Sequence, residues 1–310
     1  MSIIYNRNRK DITFCTMLFK IPKQNKLSAI KGENRNFEDF YLISLKKLCD
    51  TFNNVALWCD EETEKYLIDN GLKNKIHMRV MKIQDLPHWD ERESCRKIMY
   101  KMKKYVGFFL HHRSPEDWVD YLPLMWAKPA IIDWAARNNK FDSDYFMWID
   151  AGALSPRYEN SSLWDSWNGN IMAKPKRVRM TIAVTLGKSR PHFVPRFLYN
   201  FYKFLFVKPI KQADADNLAK QNLVDIAMTN ADYDVPGGCF MVPNTMTHVF
   251  YNEFERTRKI MKKHGLVCVD QGIFQAMMKF DIDNMFELKY IVGYKGLYTA
   301  IANKEFDVLL

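Results

Sequence analysis

The stretch Phe141-Asp-Ser-Asp-Tyr-Phe-Met-Trp-Ile-Asp150-Ala-Gly-Ala153 decides how this chain folds. Tyr145 to Ile149 is an unbroken run of bulky apolar side chains, the pattern of a strand buried on both faces of a sheet. The run stops at Asp150 and is followed by Ala151 and Gly152, so a buried strand carries a carboxylate to its own carboxyl end. In open α/β sheets that end faces the ligand crevice. The two small residues are expected to let a ligand approach the backbone, and Gly152 can take a positive φ if the turn requires it.

Similar short β-branched or aromatic runs occur at Ile12 to Phe19, Asn54 to Trp58, Ile76 to Ile83, Met180 to Leu186, Cys239 to Val242 and Phe286 to Val292. Between them, helical spacing recurs at Asn36 to Phe52, Glu61 to Asn70, Glu93 to His111, Leu124 to Asn138, Asp216 to Met228, Thr245 to His264 and Asp270 to Lys279. Strands alternating with helices predict an α/β fold, a mostly parallel sheet flanked by helices on both faces. With no repeat, linker or low-complexity block, residues 1–310 are expected to form a single compact domain.

The composition suits this. Of 310 residues, 47% are apolar and 14% aromatic, which excludes disordered and fibrous classes and suffices for a large core. The net charge of +10 favours anionic partners without choosing among them. No secretory segment is visible at the N-terminus, and the longest charge-free stretch, Val235 to Asn252, is interrupted by prolines and glycines, so a cytoplasmic protein is expected. The six cysteines are scattered with no CxxC, and read as reduced, mostly buried thiols. A basic, aromatic segment at 192–211 is expected to pack on the sheet, with peripheral contact at the inner face of a membrane as the alternative.

Several motifs are decoys. Asp142 and Asp144 form a DxD, but they precede the apolar run and so belong to the opposite edge of the sheet from the ligand crevice. Asp214 and Asp216 form another, in which Asp216 reads better as a helix cap. Leu186-Gly-Lys-Ser189 lacks the first glycine of a phosphate-binding loop, and the adjacent pair His111-His112 is poorly spaced for one metal ion.

Trp148-Ile-Asp-Ala-Gly152 resembles the WIDxG core of the HtrL/YibB-type bacterial proteins, a group placed with glycosyltransferases of the nucleotide-diphospho-sugar, GT-A type. Arg35-Asn-Phe-Glu-Asp-Phe-Tyr41, Leu124-Met-Trp-Ala-Lys128, Gly237-Gly-Cys-Phe240 and Val269-Asp-Gln-Gly272 follow that family's pattern in the same order, over roughly Ile12 to Val292. The resemblance implies a GT-A-like, Rossmann-related sheet with a donor-binding half at about 10–155 and an acceptor-side half at about 156–300. It implies a glycosyltransferase moving a sugar from a nucleotide-diphospho-sugar to a glycan or glycolipid acceptor, in bacterial surface polysaccharide or lipooligosaccharide assembly. Retention versus inversion stays open.

Residue by residue, the donor-binding set implied is Thr16, Arg35, Lys128, Asp150, Ala151 and Gly152. Asp150 would hold a divalent cation, Mn²⁺ or Mg²⁺, or a ribose hydroxyl; Gly152 stands where the usual DxD has its second carboxylate, which weakens the metal expectation. Lys128, near a helix start, would suit a diphosphate leaving group. Gly237 and Gly238 would line the sugar and acceptor pocket with Gln271. Asp270 is the candidate general base or sugar-positioning group, and equally a helix cap. Two other functions compete: a non-catalytic sugar-nucleotide binder and a basic nucleic-acid-binding protein. The second is disfavoured because the cations are spread along the chain and no recognition motif for nucleic acid is present.

Overall fold

The computed structural model describes residues 12–21, 36–106, 119–155, 177–184, 238–279 and 285–292. Its strands are β1 (Ile12–Leu18), β2 (Val55–Cys59), β3 (Ile76–Val80), β4 (Tyr145–Ile149), β5 (Val178–Val184), β6 (Cys239–Pro243) and β7 (Phe286–Val292). They form one seven-stranded sheet in the order β3-β2-β1-β4-β6-β5-β7. The β1–β2, β2–β3, β1–β4 and β5–β7 pairs are parallel, and β6 runs antiparallel to both β4 and β5. The expected α/β class with a mostly parallel sheet is therefore the observed one, with one reversed strand that alternation alone could not reveal.

The helices are α1 (Ile43–Thr51), α2 (Glu61–Asp69), α3 (Arg92–Val106), α4 (Leu122–Asn138), α5 (Thr247–Lys263) and α6 (Asp270–Lys279); a π-helical segment, Phe37–Leu42, leads into α1. Their starts have local causes. Asn36 accepts a hydrogen bond from the Asp39 backbone N–H at 2.6 Å, and Asp60 caps α2 by accepting from the Thr63 N–H. Glu61, Glu62 and Glu64 in the first turn of α2 favour its positive end. Pro123 sits in the first turn of α4, where its missing N–H costs nothing. The helix expected at 216–228 and the segment 192–211 lie outside the described residues, as do Asp214, Asp216, His111, His112 and Leu186 to Ser189.

Alternation along the strands divides the core. Cys15 and Met17 of β1 and Phe19 just after it face one side with Phe146 and Trp148 of β4, where they meet Trp126, Ala127, Ile131, Phe250, Phe254 and Phe274 of α4, α5 and α6. Ile12, Phe14 and Leu18 face the other side with Met147 and Ile149, packed with Leu45 and Leu48 of α1 and Leu67 of α2. All six cysteines are unpaired; five are buried and Cys268 is partly so. No described helix is long and apolar enough to cross a membrane.

Beneath the first face a charged network ties the 3₁₀ turn at 89–91 to α5. His88, at φ 67°, contacts Glu91 through Nδ1 at 2.9 Å and Glu255 through Nε2 at 2.8 Å. Arg258, 3% exposed, bridges Glu91 and Glu255 at 3.1 and 3.0 Å and lies 5.0 Å from the ring centre of Trp126, while Lys262 also pairs with Glu91. Burial alone would raise the Glu91 carboxyl, but hydrogen bonds and charge from Arg258 and Lys262 outweigh it and hold it at about 2. A carboxyl held below its unfolded value stabilises the fold above that value and ceases to do so as pH falls through the folded one. Stability on the order of 2–3 kcal/mol should therefore disappear between about pH 4.5 and 2. Urea titrations across that window check this: Glu91→Gln should start less stable and show a flatter acid limb, and an unchanged limb would remove Glu91 as the cause.

Candidate functional site at the end of β4

Asp150 follows the last residue of β4, at the carboxyl edge of the parallel strands. β1 lies between β2 and β4, so the order reverses beside β4, the topological position where open α/β sheets form a crevice. The Asp150 N–H donates to the Gly238 carbonyl at 3.1 Å, extending the β4–β6 ladder by one step. The chain then turns: the Asp150 carbonyl accepts from the Ala153 N–H at 2.9 Å, and the Leu154 N–H donates to Ser44 Oγ on α1. The backbone of Asp150 is thus fixed on both sides.

Its side chain shares the sheet face of Trp148, by strand alternation. The Trp148 indole N–H donates to Asp150 Oδ1 at 2.8 Å. Lys128 of α4 reaches the same oxygen at 3.3 Å, and its ammonium lies 2.8 Å from Asp270 Oδ2 and 5.2 Å from the Trp148 ring centre. Lys128 thus pairs with a buried carboxylate, Asp270, and with a half-exposed one, Asp150. Lys128 and Asp270 are each 2% exposed, whereas the Asp150 side chain is 44% exposed. Burial by itself would lower the Lys128 pKa, but the two carboxylates outweigh it and raise that pKa above the ordinary lysine value. Burial pushes the Asp270 carboxyl up, opposed in part by Lys128 and by a hydrogen bond from the Gln271 backbone N–H.

Three distant segments supply this cluster, so Lys128, Asp150 and Asp270 of the expected set come together. Gly238 adjoins them through its carbonyl, and Gln271 through its backbone. Ala151 is buried behind the turn. Thr16 does not join them. It is fully buried, its hydroxyl has no hydrogen-bond partner among the described residues, and by alternation it shares the sheet face of Phe14 and Leu18, opposite to that of Lys128. Arg35 and Gly237 lie outside the described residues.

Four expectations need correction. Gly152 does not have a positive φ, and its open side is filled by the protein: a Cβ there would lie 3.0 Å from the Phe40 ring and 3.3 Å from the Tyr41 ring, both in the π-helical segment. The missing side chain makes room for these rings rather than for a ligand. Lys128 is not at a helix start, because α4 begins at Leu122, and its ammonium is enclosed between two carboxylates instead of facing a diphosphate. Asp270 is enclosed behind Lys128, so it holds that lysine and cannot meet an acceptor hydroxyl directly. Asp150 as a metal ligand also fails on the chemistry of the donor set. It offers one carboxylate, already paired with an ammonium, and the neighbouring carboxylate, Asp270, is buried and paired with that same ammonium. Among the described residues no group of three or more His, Cys, Asp or Glu is arranged to hold a metal ion. The DxD at Asp142 and Asp144 sits at the opposite end of β4, with Asp142 at φ 55° in a turn, as expected of a decoy.

Two contributors escaped the sequence reading. Trp148 lies two residues before Asp150 on the same strand face, a signal that alternation contains. The other is Gly272, where a Cβ would stand 2.7 Å from Cys268 Sγ and 3.0 Å from Cys268 Cβ. The glycine of Val269-Asp-Gln-Gly272 thus lets α6 begin tightly against the strand of chain that delivers Asp270. Gly272→Ala is expected to destabilise the protein by about 1–3 kcal/mol through overpacking. In a denaturation cycle the added variant Cys268→Ala should recover part of that loss; strictly additive effects would remove this contact as the cause.

No family model matches the chain, and no curated protein sequence matches it. Among solved structures it is similar to mouse xyloside xylosyltransferase 1 in its apo form, at 10% identity and a TM-score of 0.39, covering 90% of this chain and 85% of that one. It is similar also to a 4-diphosphocytidyl-2C-methyl-D-erythritol synthase from Anaerococcus prevotii, at 10% identity and a TM-score of 0.35 over 92% and 88% of the two chains. A third is a CMP:2-keto-3-deoxy-manno-octonic acid synthetase complexed with CTP, at 8% identity and a TM-score of 0.33 over 96% and 98%. Overlaps at this level leave the functional argument resting on the residues of the chain itself.

Proposed function

We infer that this protein is a glycosyltransferase of the GT-A type, binding a nucleotide-diphospho-sugar at the carboxyl edge of its sheet and transferring the sugar to a glycan or glycolipid acceptor. The observation that carries this reading is the convergence of Lys128, Asp150 and Asp270, from three separate elements, at the strand end nearest the reversal of strand order. The resemblance of Trp148-Ile-Asp-Ala-Gly152 to the HtrL/YibB-type core supports it, as does the +10 net charge, which suits a diphosphate. Assembly of a bacterial surface glycan at the cytoplasmic side of a membrane belongs to the same proposal.

Transfer breaks the bond from the sugar's anomeric carbon to the diphosphate, forms a bond to an acceptor oxygen and releases the acceptor proton. In this arrangement Asp150 is the carboxylate that meets the ligand, Lys128 and the Trp148 indole fix its position, and Asp270 anchors Lys128. A thermal-shift panel of UDP, GDP, CMP and their sugar conjugates tests the reading, since a ligand that binds only the native state raises its stability. A shift with one nucleotide class, followed by sugar release or transfer, supports it. No shift with any of them, alongside stabilisation by oligonucleotides, overturns it in favour of nucleic-acid binding. One observation favours a second reading, a sugar-nucleotide binder without turnover: Asp270, the candidate base, is enclosed. Binding without transfer to any acceptor would select that reading.

A further inference from the structure

We propose that the outer face of α3 is a docking surface for an anionic lipid membrane, held by charge rather than by insertion. The proposal does not depend on the nucleotide-sugar reading. α3 carries Arg92, Arg96, Lys97, Lys101, Lys103 and Lys104 against one carboxylate, Glu93, the most cationic balance of any helix among the described residues. After Glu93 the sequence has no Asp or Glu until Glu116. Cys95 and Met99 bury one side of the helix in the core, with Ile98 packed against it. Lys97, Tyr100 and Lys101, at helical spacing, lie on the side left in solvent; the Lys97 side chain is 72% exposed and Tyr100 48%. Arg92 is drawn to Asp120 and the Trp89 ring, and Arg96 and Lys97 share Glu93. Lys101 pairs with no carboxylate among the described residues. At the start of the helix, Glu91 is bound by Arg258 and Lys262 of α5, so the cationic face is fixed to the folded core.

The same arrangement selects the partner. Because the apolar side of α3 is already in the core, no hydrophobic stripe remains to enter a bilayer, and what it offers is an excess of positive charge to a surface of the opposite sign. Four of the five cations after Glu93 are lysines. Lysines are compact point charges that suit a diffuse anionic surface, whereas recognition of individual nucleic-acid phosphates favours the bidentate arginine fork. Tyr100 sits among these cations with an apolar ring and a polar tip, the character that places tyrosine at headgroup level. Among the described side chains of α3 it is one exposed ring, not the succession of aromatic platforms on which single-stranded bases stack.

Co-sedimentation of the full chain with lipid vesicles tests this, using phosphatidylcholine alone and two parts phosphatidylcholine to one part phosphatidylglycerol. Wild-type protein should bind the mixed vesicles and not the neutral ones, and should be released as NaCl rises from about 50 mM to about 500 mM. The variant Arg96→Gln/Lys97→Gln/Lys101→Gln should bind about 100-fold more weakly. Glutamine keeps the helix propensity at these positions, and an unchanged melting temperature shows that the fold is intact. The control Lys65→Gln/Lys73→Gln/Lys75→Gln removes the same charge from exposed positions around α2 and the turn before β3, and should stay within about 3-fold of wild type. Equal loss in both variants would mean that net charge acts rather than this face, and undiminished binding by the α3 variant would place the contact elsewhere on the chain. Either result overturns the proposal, as does binding that survives high salt or absence of vesicle binding. An oligonucleotide affinity that only the α3 variant loses, without vesicle binding, would give the face to nucleic acid instead. None of these outcomes bears on nucleotide binding at the end of β4, which the thermal-shift panel reads separately.

Discussion

Replacing Lys128 with methionine is expected to destabilise the protein by about 3–5 kcal/mol, the range for removing one partner of a buried ion pair. The size comes from what is left behind. Asp270, 2% exposed, would keep its carboxylate in the core without the ammonium 2.8 Å away. Burial already pushes that carboxyl above the usual range, and losing the cation would push it further. An acid whose folded pKa exceeds its unfolded one destabilises the fold at high pH and stops doing so once protonated. Lys128→Met should therefore regain stability relative to wild type as pH falls into the ordinary carboxylate range. The double variant with Asp270→Asn should recover much of the loss at neutral pH, since neither charge then remains buried. Chemical denaturation of the three proteins at two pH values decides the matter: a loss independent of pH and not relieved by Asp270→Asn would mean that Lys128 acts through the packing of its stem.

Asp150→Ala is expected to lower turnover by about 10²–10³-fold, the effect of removing one preorganised polar group from a reacting centre. Its effect on stability should be modest, about 1 kcal/mol, because the Trp148 indole N–H and the Lys128 ammonium each lose an acceptor. Asp150→Asn separates the two roles. Its carbonyl oxygen can still accept from Trp148, so stability should return toward wild type while turnover stays low. Steady-state rates measured beside melting curves check this, and full activity in either variant would place the reaction elsewhere on the molecule.

The strand ending in Asp150 was legible because its signal is local: an apolar run, an abrupt carboxylate and two small residues occur within a few positions of one another. The same locality made the Asp142/Asp144 pair recognisable as belonging to the wrong edge. Among the described residues, helix and strand spans were readable to within a few residues for the same reason; β3 ends at Val80, where the apolar run continues into a 3₁₀ turn at Ile83–Asp85. What escaped the sequence reading depends on contacts between distant segments. Nothing around Lys128 announces that its ammonium ends between Asp150 and Asp270, since that follows from how α4 and α6 lie against one sheet face. Gly152 looked like room for a ligand until Phe40 and Tyr41 were seen to fill it. The Glu91–Arg258 pair spans 167 positions of chain, and periodicity in either segment shows only a polar face.

The reversed strand β6 has a consequence for how the chain is made. β4 lies between β1 and β6, and its partner on the second side, Cys239–Pro243, is synthesised about ninety residues later. A nascent chain that has emerged only as far as residue 155 can pair β4 with β1, but it presents Tyr-Phe-Met-Trp-Ile as an open apolar edge, the kind of template that recruits other strands. A fragment of residues 1–155 should accordingly self-associate, whatever the quality of its α/β pattern. Pairing with β6, which the main-chain bond from Asp150 to Gly238 extends by one step, closes that edge, so the step that positions the candidate site is also the step that covers the exposed strand of the young polypeptide.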